Sequence, residues 1–191
     1  MQTSEIILKQ VGVPLKKLLK LNLGCGNHKV EGFVNIDYNT TSATDLVINL
    51  DKPGWGLEKD SVDEVRMIHF LEHIHNHIPF FNELYEAMVD GGKVLIRGPH
   101  ARSSGAWQDP THTRPIPEEF FHYFNKDFRK SQGIIYAGIF CDFVVSGIGY
   151  TSHPDYEKLK ELGLTQEEFE FDLKHKFNVA TELHIELTAR K

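Results

Sequence analysis

Cysteine is scarce in this chain, and no run of apolar residues approaches the length of a membrane span. Only Cys25 and Cys141 occur among the 191 residues, which is too few for a disulfide framework and favours a reducing compartment. The first twenty residues contain no apolar core of the kind that a secretory signal needs, and a membrane span needs about 20 apolar residues in a row. We therefore expect a soluble, cytoplasmic protein without membrane contact.

Positive charge is also in short supply. Lysine and arginine number 21 against 27 aspartates and glutamates, which gives a formal net charge of −6. A protein that binds nucleic acid mainly by neutralising phosphates needs the opposite balance, so bulk nucleic-acid binding is not expected. Apolar residues make up 40% of the chain and charged residues 25%. These values are close to the globular averages, so we expect a folded chain of one domain.

Short apolar runs alternate with helical patterns along the chain and predict an α/β fold. Strands are expected at residues 19–23, 33–36, 46–50, 64–69, 93–97, 140–148 and 183–190. Apolar residues spaced three and four apart predict a helix over 71–89, and Pro117 followed by two glutamates predicts another over 117–128. The turn-rich stretches 98–116 and 149–165 are expected to be loops. Such alternation predicts a mainly parallel sheet with helices on both faces.

Glycines and polar residues stand where the predicted strands end. Five strands are followed in turn by Gly24, Asp37, Asp51, His69 and the segment 98–100. Ligands of parallel α/β sheets bind at the carboxyl ends of the strands, so these five positions are expected to face one crevice. The stretch 98–116 leaves the fifth strand at the same end of the sheet. It is predicted to be an active-site loop over that crevice.

The stretch LNLGCGNHKVEGFVNID, residues 21–37, indicates which kind of ligand the crevice binds. Glycines allow a backbone to approach a ligand closely, and an acid at the tip of the next strand accepts hydrogen bonds from ribose hydroxyls. Gly24, Gly26 and Asp37 therefore predict a site for a nucleoside-containing ligand. A NAD-binding enzyme is disfavoured because the third glycine of G-x-G-x-x-G is missing.

Several segments, in this order, resemble the class I S-adenosylmethionine-dependent methyltransferases. LNLGCG at 21–26 is similar to their first glycine motif, and SVDEVRMIHFLEHI at 61–74 is similar to the segment in which Leu-Glu-His follows the fourth strand. GGKVLIRGP at 91–99 resembles their fifth-strand motif. DPTHTRPIPEEF at 109–120 resembles a stretch of small bacterial and phage members, and ELHIELTARK at 182–191 resembles their last strand.

The resemblance covers nearly the whole chain and implies a fold and a cofactor. The implied fold is a single domain over residues 1–191, with 1–18 as an N-terminal extension. Its sheet is Rossmann-like, seven-stranded and mostly parallel, with an antiparallel last strand. The implied cofactor is S-adenosyl-L-methionine. By resemblance, the cofactor-binding residues are Gly24, Cys25, Gly26, Asn27, Asp37, Tyr38, Leu50, Asp51, Ile68 and His69.

Two of these residues have alternative interpretations. Asp51 is expected near the adenine, where a carboxylate can accept from the exocyclic amine, but a turn-forming role is an equal alternative. Cys25 is expected to be a small packing residue of the turn. Methyl transfer from a sulfonium is a direct displacement, so it needs no cysteine nucleophile.

One feature departs from the family pattern. Only ten residues separate Gly26 from Asp37, which leaves room for about one helical turn and a short strand. The helix whose N-terminus faces the cofactor carboxylate in the family is therefore expected to be truncated. This motivates a second hypothesis, in which the chain binds S-adenosylmethionine or S-adenosylhomocysteine but transfers no methyl group.

Histidines are the candidate acid–base residues. The unperturbed pKa of a histidine side chain suits it to accept a proton from an acceptor hydroxyl or amine. His112 is the first candidate base, and His100 is the second. A structural pairing of His112 with Asp109 is an equal alternative. Arg114 is expected either to bind an anionic group of the substrate or to form a structural ion pair. The acceptor is expected to be a small molecule or a sugar-like group.

A histidine run, His69, His73, His75 and His77, raises the question of a metal site. Residues four apart share one face of a helix and can bind a metal together. There is no H-E-x-x-H spacing and no nearby cysteine, so we expect no metal. His73 is expected to anchor the loop after the fourth strand, with His75 and His77 on the surface.

Overall fold

A computed structural model describes residues 18–135 and 138–191. Its strands are β1 (Leu19–Leu23), β2 (Val34–Asp37), β3 (Leu46–Val47), β4 (Val62–Ile68), β5 (Met88–Pro99), β6 (Phe143–Ser152) and β7 (Ala180–Ala189). They form one sheet in the order β3-β2-β1-β4-β5-β7-β6. The first five strands pair in parallel, and β7 pairs antiparallel with β5 and β6. The predicted Rossmann-like sheet with an antiparallel last strand is thereby confirmed.

Helices occur only after β4 in the described part of the chain. The α-helices are α1 (His77–Ala87), α2 (Gly105–Gln108), α3 (Lys126–Ser131), α4 (Pro154–Glu161) and α5 (Gln166–His175), and 3-10 turns span Leu71–His73 and Glu118–Phe124. The connections from β1 to β4 are built from turns, so even the single helical turn expected after Gly26 is missing. No helix among the described residues is long and apolar enough to cross a membrane.

The helix predicted over 71–89 proves to be interrupted. The chain is extended at Ile74, the α-helix begins at His77, and Met88 already pairs with Val62 as the first residue of β5. The carboxylate of Asp51 accepts hydrogen bonds from the backbone amides of His75 and Asn76. These bonds stabilise the extended segment between the 3-10 turn and α1. The helix predicted over 117–128 is also interrupted: Pro117 precedes a 3-10 helix over Glu118–Phe124, the chain is extended at Asn125, and α3 begins at Lys126.

The stretch 149–165 is not the long loop that was predicted. The strand β6 continues to Ser152, and α4 follows at once. Pro154 occupies the first turn of α4, and acids follow it, which are favourable at a helix N-terminus. A capping box stabilises the N-terminus of α5, because the side chains of Thr165 and Glu168 each accept a hydrogen bond from the other residue's backbone amide. The predicted extension over 1–18 lies, apart from Leu18, outside the described residues.

The two faces of the sheet differ in polarity. Leu21, Val65, Val94 and Leu187 lie side by side in register on neighbouring strands and are fully buried. The next row along the strands, Lys20, Glu64, Lys93 and Thr188, points to the opposite face and is polar. Alternation along each strand therefore places the main core against one face.

Candidate active site

A crevice of about 660 Å³ lies at the carboxyl ends of β1, β2 and β4. Eight of the ten residues implied by the family resemblance line it: Gly24, Gly26, Asn27, Asp37, Tyr38, Leu50, Asp51 and His69. Lining residues that the sequence did not single out are Asn39, Thr41, Ile48, Asn49, Phe70, Ile74 and Thr111. The volume lies within the range of small-molecule sites, so a nucleoside-sized ligand fits.

The two glycines of the turn have different roles. Both have positive φ, +67° at Gly24 and +51° at Gly26, a conformation that glycine adopts without strain. A Cβ atom added to Gly24 would lie 2.1 Å from Cδ2 of Phe70, whereas at Gly26 it would meet open space. The ring of Phe70 therefore packs against the backbone of Gly24, in the space that a side chain would occupy. The space beside Gly26 is open, so Gly26 is the glycine that leaves room for a ligand.

Asp37 is already fixed by backbone amides. Its Oδ2 accepts from the amide of Gly26 at 2.9 Å, and its Oδ1 accepts from the amide of Asn39 at 2.9 Å. These bonds hold the turn after β1 against the end of β2. Each carboxylate oxygen has a second lone pair, so the carboxylate retains capacity for ribose hydroxyls.

Cys25 and Ile68 do not line the crevice. The thiol of Cys25 is buried beside the Thr44 hydroxyl, 3.8 Å away, and burial raises its pKa. The thiol therefore stays protonated at neutral pH, as a small packing residue. Ile68 pairs with Arg97 at the end of β4, on the polar face of the sheet. Both cysteines of the chain are free thiols.

Asp51 caps the segment that leads into α1. Its Oδ1 accepts from the amides of His75 and Asn76 at 2.8 and 3.1 Å, and its Oδ2 lies 2.9 Å from Nδ1 of His75. These bonds support the turn-forming interpretation of Asp51. The residue also lines the crevice, so an adenine contact is compatible with its position.

His69 connects β4 to the antiparallel part of the sheet. Its φ of +49° is unusual for a residue with a side chain. Its Nε2 lies 2.8 Å from Oε1 of Glu182, and its Nδ1 lies 3.4 Å from Oε1 of Glu72. Hydrogen bonding to Glu72 and then to Glu182 raises the pKa of His69, although burial opposes this. The imidazole of His69 therefore contacts two carboxylates at the rim of the crevice.

The loop 98–116, which contains the short helix α2, folds back on the turn after β4. Thr113 donates its amide to the carbonyl of Glu72 at 2.8 Å and its hydroxyl to that of Ile74 at 2.7 Å. His112 is thereby brought against His73, with ring centroids 4.9 Å apart. Asp109 accepts from the amide and hydroxyl of Thr111 at 2.8 and 2.7 Å and lies 3.9 Å from Nε2 of His112. The partner of Asp109 is therefore Thr111, because 3.9 Å is too long for a hydrogen bond.

A narrow pocket lies between this loop and the sheet. It is lined by Glu72, His112 and Arg114 together with apolar residues such as Leu71, Ile96 and Phe121. Its volume is about 20 Å³, enough for roughly one water molecule. An acceptor larger than that enters only if the loop moves or if it approaches from the crevice.

The side chain of Arg114 packs on an aromatic ring. Its guanidinium lies 5.2 Å from the ring centroid of Phe120, within the range of a cation–π contact. No ion pair of Arg114 occurs among residues 18–135 and 138–191. Its head group at the pocket wall is consistent with contact to an anionic substrate group.

His100 lies in a different cavity. Together with Arg102, Glu118 and Tyr150 it lines a cavity of about 510 Å³ near α5. Its ring meets the ring of Tyr150 edge to face at 5.7 Å, and the Tyr150 hydroxyl donates to Glu118. Burial lowers the pKa of His100. The two histidines that we predicted as first and second candidate base therefore do not face one site.

The run of four histidines does not converge either. His69 contacts glutamates, His75 contacts Asp51, and His77 is buried with its Nε2 3.0 Å from the carbonyl of Leu71. Burial lowers the pKa of His77. His73 turns toward the loop, as expected for an anchor: its Nδ1 lies 3.3 Å from the carbonyl oxygen of Thr111. Sequence spacing suggested a shared helix face, but the chain is extended between the 3-10 turn and α1.

Comparison with known proteins identifies the fold. No family model matches the sequence, and no curated protein matches it. A S-adenosylmethionine-dependent methyltransferase from Archaeoglobus fulgidus superposes with a TM-score of 0.63 at 17% identity, over 97% of this chain and 92% of that one. A S-adenosylmethionine-dependent methyltransferase from Mesorhizobium loti superposes with a TM-score of 0.53 at 13% identity, over 97% and 98%.

The same fold also occurs in a protein with another reaction. SpnF, described as a cyclase, superposes with a TM-score of 0.52 at 12% identity, over 98% of this chain and 79% of that one. At such identities the likeness concerns the fold alone. The chain therefore has the fold of the class I S-adenosylmethionine-dependent methyltransferases, and its chemistry must be argued from its own residues.

Proposed function

We propose that this protein transfers a methyl group from S-adenosyl-L-methionine to a small-molecule or sugar-like acceptor. The observation that carries this proposal is the crevice at the strand ends. There the backbone amide of Gly26 donates a hydrogen bond to the carboxylate of Asp37. Glycine backbone and acid are the two elements that a nucleoside ligand requires. They occur here in a fold that methyltransferases share.

In the proposed complex the ribose hydroxyls donate to the free lone pairs of Asp37. Leu50, Phe70 and Ile74 supply apolar wall for the adenosine. Asn27 lines the crevice beside the glycine turn, and its side chain has an amide N–H group. It replaces the missing helix N-terminus as a donor to the cofactor carboxylate.

The transfer itself is a displacement at the methyl carbon. An acceptor oxygen or nitrogen forms a bond to that carbon, the carbon–sulfur bond breaks with its electron pair on sulfur, and the acceptor loses a proton to a base. Because the sulfonium is already a good leaving group, the protein mainly has to align the acceptor and exclude water. His112 rather than His100 is favoured as the base, because the loop brings His112 to the turn that borders the crevice.

Cofactor titration tests this proposal. In isothermal titration calorimetry we expect S-adenosylmethionine and S-adenosylhomocysteine to bind with one site per chain, and NAD not to bind. A ligand specific to the native state also raises the melting temperature by mass action. Binding of NAD with no response to S-adenosylhomocysteine would overturn the proposal.

A second candidate function is a module that binds the cofactor without transferring its methyl group. It is favoured by the absence of a helix after Gly26 and by the water-sized pocket under the loop. Incubation with methyl-labelled cofactor and pools of hydroxyl- and amine-bearing small molecules distinguishes the two. Label in an acceptor supports the enzyme, whereas tight binding of S-adenosylhomocysteine without labelled product in any pool supports the module.

A further inference from the structure

We propose that Glu72, His73 and His112 bind a divalent transition-metal ion next to the cofactor crevice. One ligand atom from each of these residues lies within 4.8 Å of the other two. His73 lines the crevice, whereas Glu72 and His112 line the narrow pocket. The three residues therefore meet where the cofactor site adjoins the pocket. This inference rests on the proposed function, in which His112 activates the acceptor at the border of the crevice.

Both imidazoles are held in place by contacts of Nδ1. Nδ1 of His112 lies 3.2 Å from the carbonyl oxygen of Ala106, and Nδ1 of His73 lies 3.3 Å from that of Thr111. A carbonyl oxygen only accepts, and the Thr111 hydroxyl, 3.1 Å from Nδ1 of His73, already donates to Asp109. These contacts favour the tautomer in which Nδ1 of each ring has the proton. This leaves the lone pair of Nε2 free in both rings. Metal-binding histidines show the same arrangement, with the second ring nitrogen donating to a carbonyl or carboxylate.

Glu72 supplies the negative charge of the site, and one of its carboxylate oxygens accepts no hydrogen bond. Its side chain is buried, with the residue 4% exposed, and within the described part of the chain its Oε1 has no hydrogen-bond partner. Its ion pair with Nδ1 of His69 is 3.4 Å long, which is longer than a normal hydrogen bond. A buried carboxylate oxygen without a well-formed hydrogen bond is costly. A metal ion at this position would remove that cost.

The backbone around the site fits these side chains. A Cβ atom on Gly98 would lie 3.2 Å from Oε2 of Glu72, so glycine leaves room for the carboxylate at the end of β5. The amide of Thr113, bonded to the carbonyl of Glu72, fixes the loop to the turn after β4. Ligands from two distant segments are thus set in place before any ion arrives.

Two imidazoles and one carboxylate indicate which ions suit the site. This set is typical of Zn²⁺, Mn²⁺, Fe²⁺ and Co²⁺, and it is poor for Ca²⁺ and Mg²⁺, which prefer oxygen ligands. Three protein ligands leave at least one position open. The adjoining space of about 20 Å³ admits one water-sized group, such as a hydroxyl of the acceptor.

With an ion at this site, we expect the acceptor to be a compound with a hydroxyl group. A divalent cation lowers the pKa of a bound hydroxyl, whose proton is released to water. The resulting oxygen bonds to the methyl carbon, and the carbon–sulfur bond breaks with its electron pair on sulfur. The products are a methyl ether and S-adenosylhomocysteine. With the ion bound, the lone pair of His112 is used for coordination, so the metal takes over activation of the acceptor.

Metal titration of the full chain tests the proposal without an activity assay. Protein without a His tag is stripped with a chelator and titrated by calorimetry with Zn²⁺ and with Mn²⁺, and Co²⁺ loading is followed by visible absorption. We expect one ion per chain. Glu72→Gln, His73→Asn and His112→Asn should each weaken binding by about a hundredfold or more, since loss even of a supporting residue costs 10–100-fold in metal proteins.

The matched control is His175→Asn. His175 lies on α5, away from the site, and its Nδ1 contacts the carbonyl of Phe171, so this change removes a histidine but no ligand. Affinity equal to the unmodified chain in His175→Asn, with losses in the three ligand variants, supports the site. Absence of stoichiometric binding, or unchanged affinity in all three ligand variants, overturns it.

Titration with S-adenosylhomocysteine separates this inference from the proposed function. Glu72→Gln and His112→Asn, which change residues that do not line the crevice, should still bind S-adenosylhomocysteine, which also shows that these variants are folded. Metal binding without any binding of S-adenosylhomocysteine would leave the metal site standing and refute the methyltransferase. Binding of S-adenosylhomocysteine without metal binding would refute the metal site and leave the proposed methyltransferase function standing.

Discussion

The two halves of the sheet are stabilised by different kinds of contact. Around β1, β2 and β3, where no helix intervenes, the connections are tied together by a buried polar network centred on Asn35. Around β5, β6 and α1, phenylalanine rings fill the core, and the rings of Phe81 and Phe124 stack at 4.1 Å. Short turns cannot bury much apolar surface. Directed hydrogen bonds replace helix packing there and at the same time shape the cofactor crevice.

The polar network joins two asparagine side chains, an aspartate, a lysine and one backbone amide. Asn22 donates to Oδ1 of Asn35 at 2.9 Å, and Oδ1 of Asn35 also accepts from the amide of Val30 at 2.8 Å. The Nδ2 of Asn35 donates to Oδ2 of Asp45 at 2.8 Å, and Oδ1 of Asp45 accepts from Lys29 at 2.7 Å. Loss of Asn35, the fully buried centre of the network, therefore leaves several groups short of partners.

The largest expected effect on stability lies in the aromatic half. Phe81 is fully buried and contacts Phe121, Phe124 and Phe143. Phe81→Ala should lower the free energy of unfolding by about 4 kcal/mol, because it removes apolar burial and leaves a cavity. Urea denaturation measures this. Phe177→Ala is the control, since Phe177 is 53% exposed, and a similar loss in both variants would contradict the prediction.

The corresponding change in the polar half is Asn35→Ala. Removal of the amide leaves Asn22, Val30 and Asp45 short of partners inside the protein, which should cost about 3 kcal/mol. The same denaturation experiment with Asn49→Ala, an exposed asparagine, gives the baseline. If Asn35→Ala costs no more than Asn49→Ala, the network does not replace the missing helices.

The sequence predicted the strand ends well because their geometry is local. A glycine or polar residue at the end of a strand must lie at the edge of a parallel sheet, so Gly24, Asp37 and His69 were located correctly in relation to the crevice. The segment 98–100 was predicted to face the same crevice and does not line it. Asp51 lines the crevice although β3 ends at Val47, before the predicted residue 50. Asn35 was missed, although its signal was present: a polar amide inside the apolar run VNID is unusual unless it is hydrogen-bonded.

The acceptor side could not be predicted in the same way. His112 reaches His73 only because Thr113 bonds back to the turn after β4, a contact between distant segments that leaves no mark on local periodicity. The interruption of the predicted 71–89 helix has a similar cause, because the capping carboxylate belongs to Asp51 on another connection. Long-range hydrogen bonds between loops explain most of what the pattern missed.

The two halves should also separate in function. His112→Ala should lower the turnover of labelled acceptor by about a hundredfold or more, because it removes the group that activates the acceptor, either as the base or as a ligand of the proposed ion. Affinity for S-adenosylhomocysteine should stay within about twofold, because His112 does not line the crevice. Retained turnover with a loss of stability alone would assign His112 a structural role.

Asp37→Ala should have the opposite profile. Cofactor affinity should fall by roughly 1 to 3 kcal/mol, the cost of leaving hydroxyl donors without a charged acceptor. Some stability should be lost as well, because the amides of Gly26 and Asn39 lose their acceptor. Calorimetry with S-adenosylhomocysteine on folded protein measures the first effect. Unchanged affinity would move the ribose contact to another residue.

The smallest expected effect is a pH dependence within the polar half. Burial opposes ionisation of Asp45, but hydrogen bonds from Lys29 and Asn35 outweigh it and lower its pKa. A carboxyl with a lowered pKa in the folded state stabilises the protein above its unfolded pKa, near 3.8. That contribution is lost as the pH falls through the folded value.

Asp45→Asn tests whether this acid anchors the network by its charge. Because Asp45 lies near the surface, the ionic contribution should be no more than about 1 kcal/mol. We expect the difference in unfolding free energy between the original chain and Asp45→Asn to be largest near pH 6 and to shrink below pH 4. A difference that stays constant over this range would mean that the network depends on hydrogen-bond geometry alone. The polar half would then owe its stability to its amides, and the aspartate would serve only as one more acceptor.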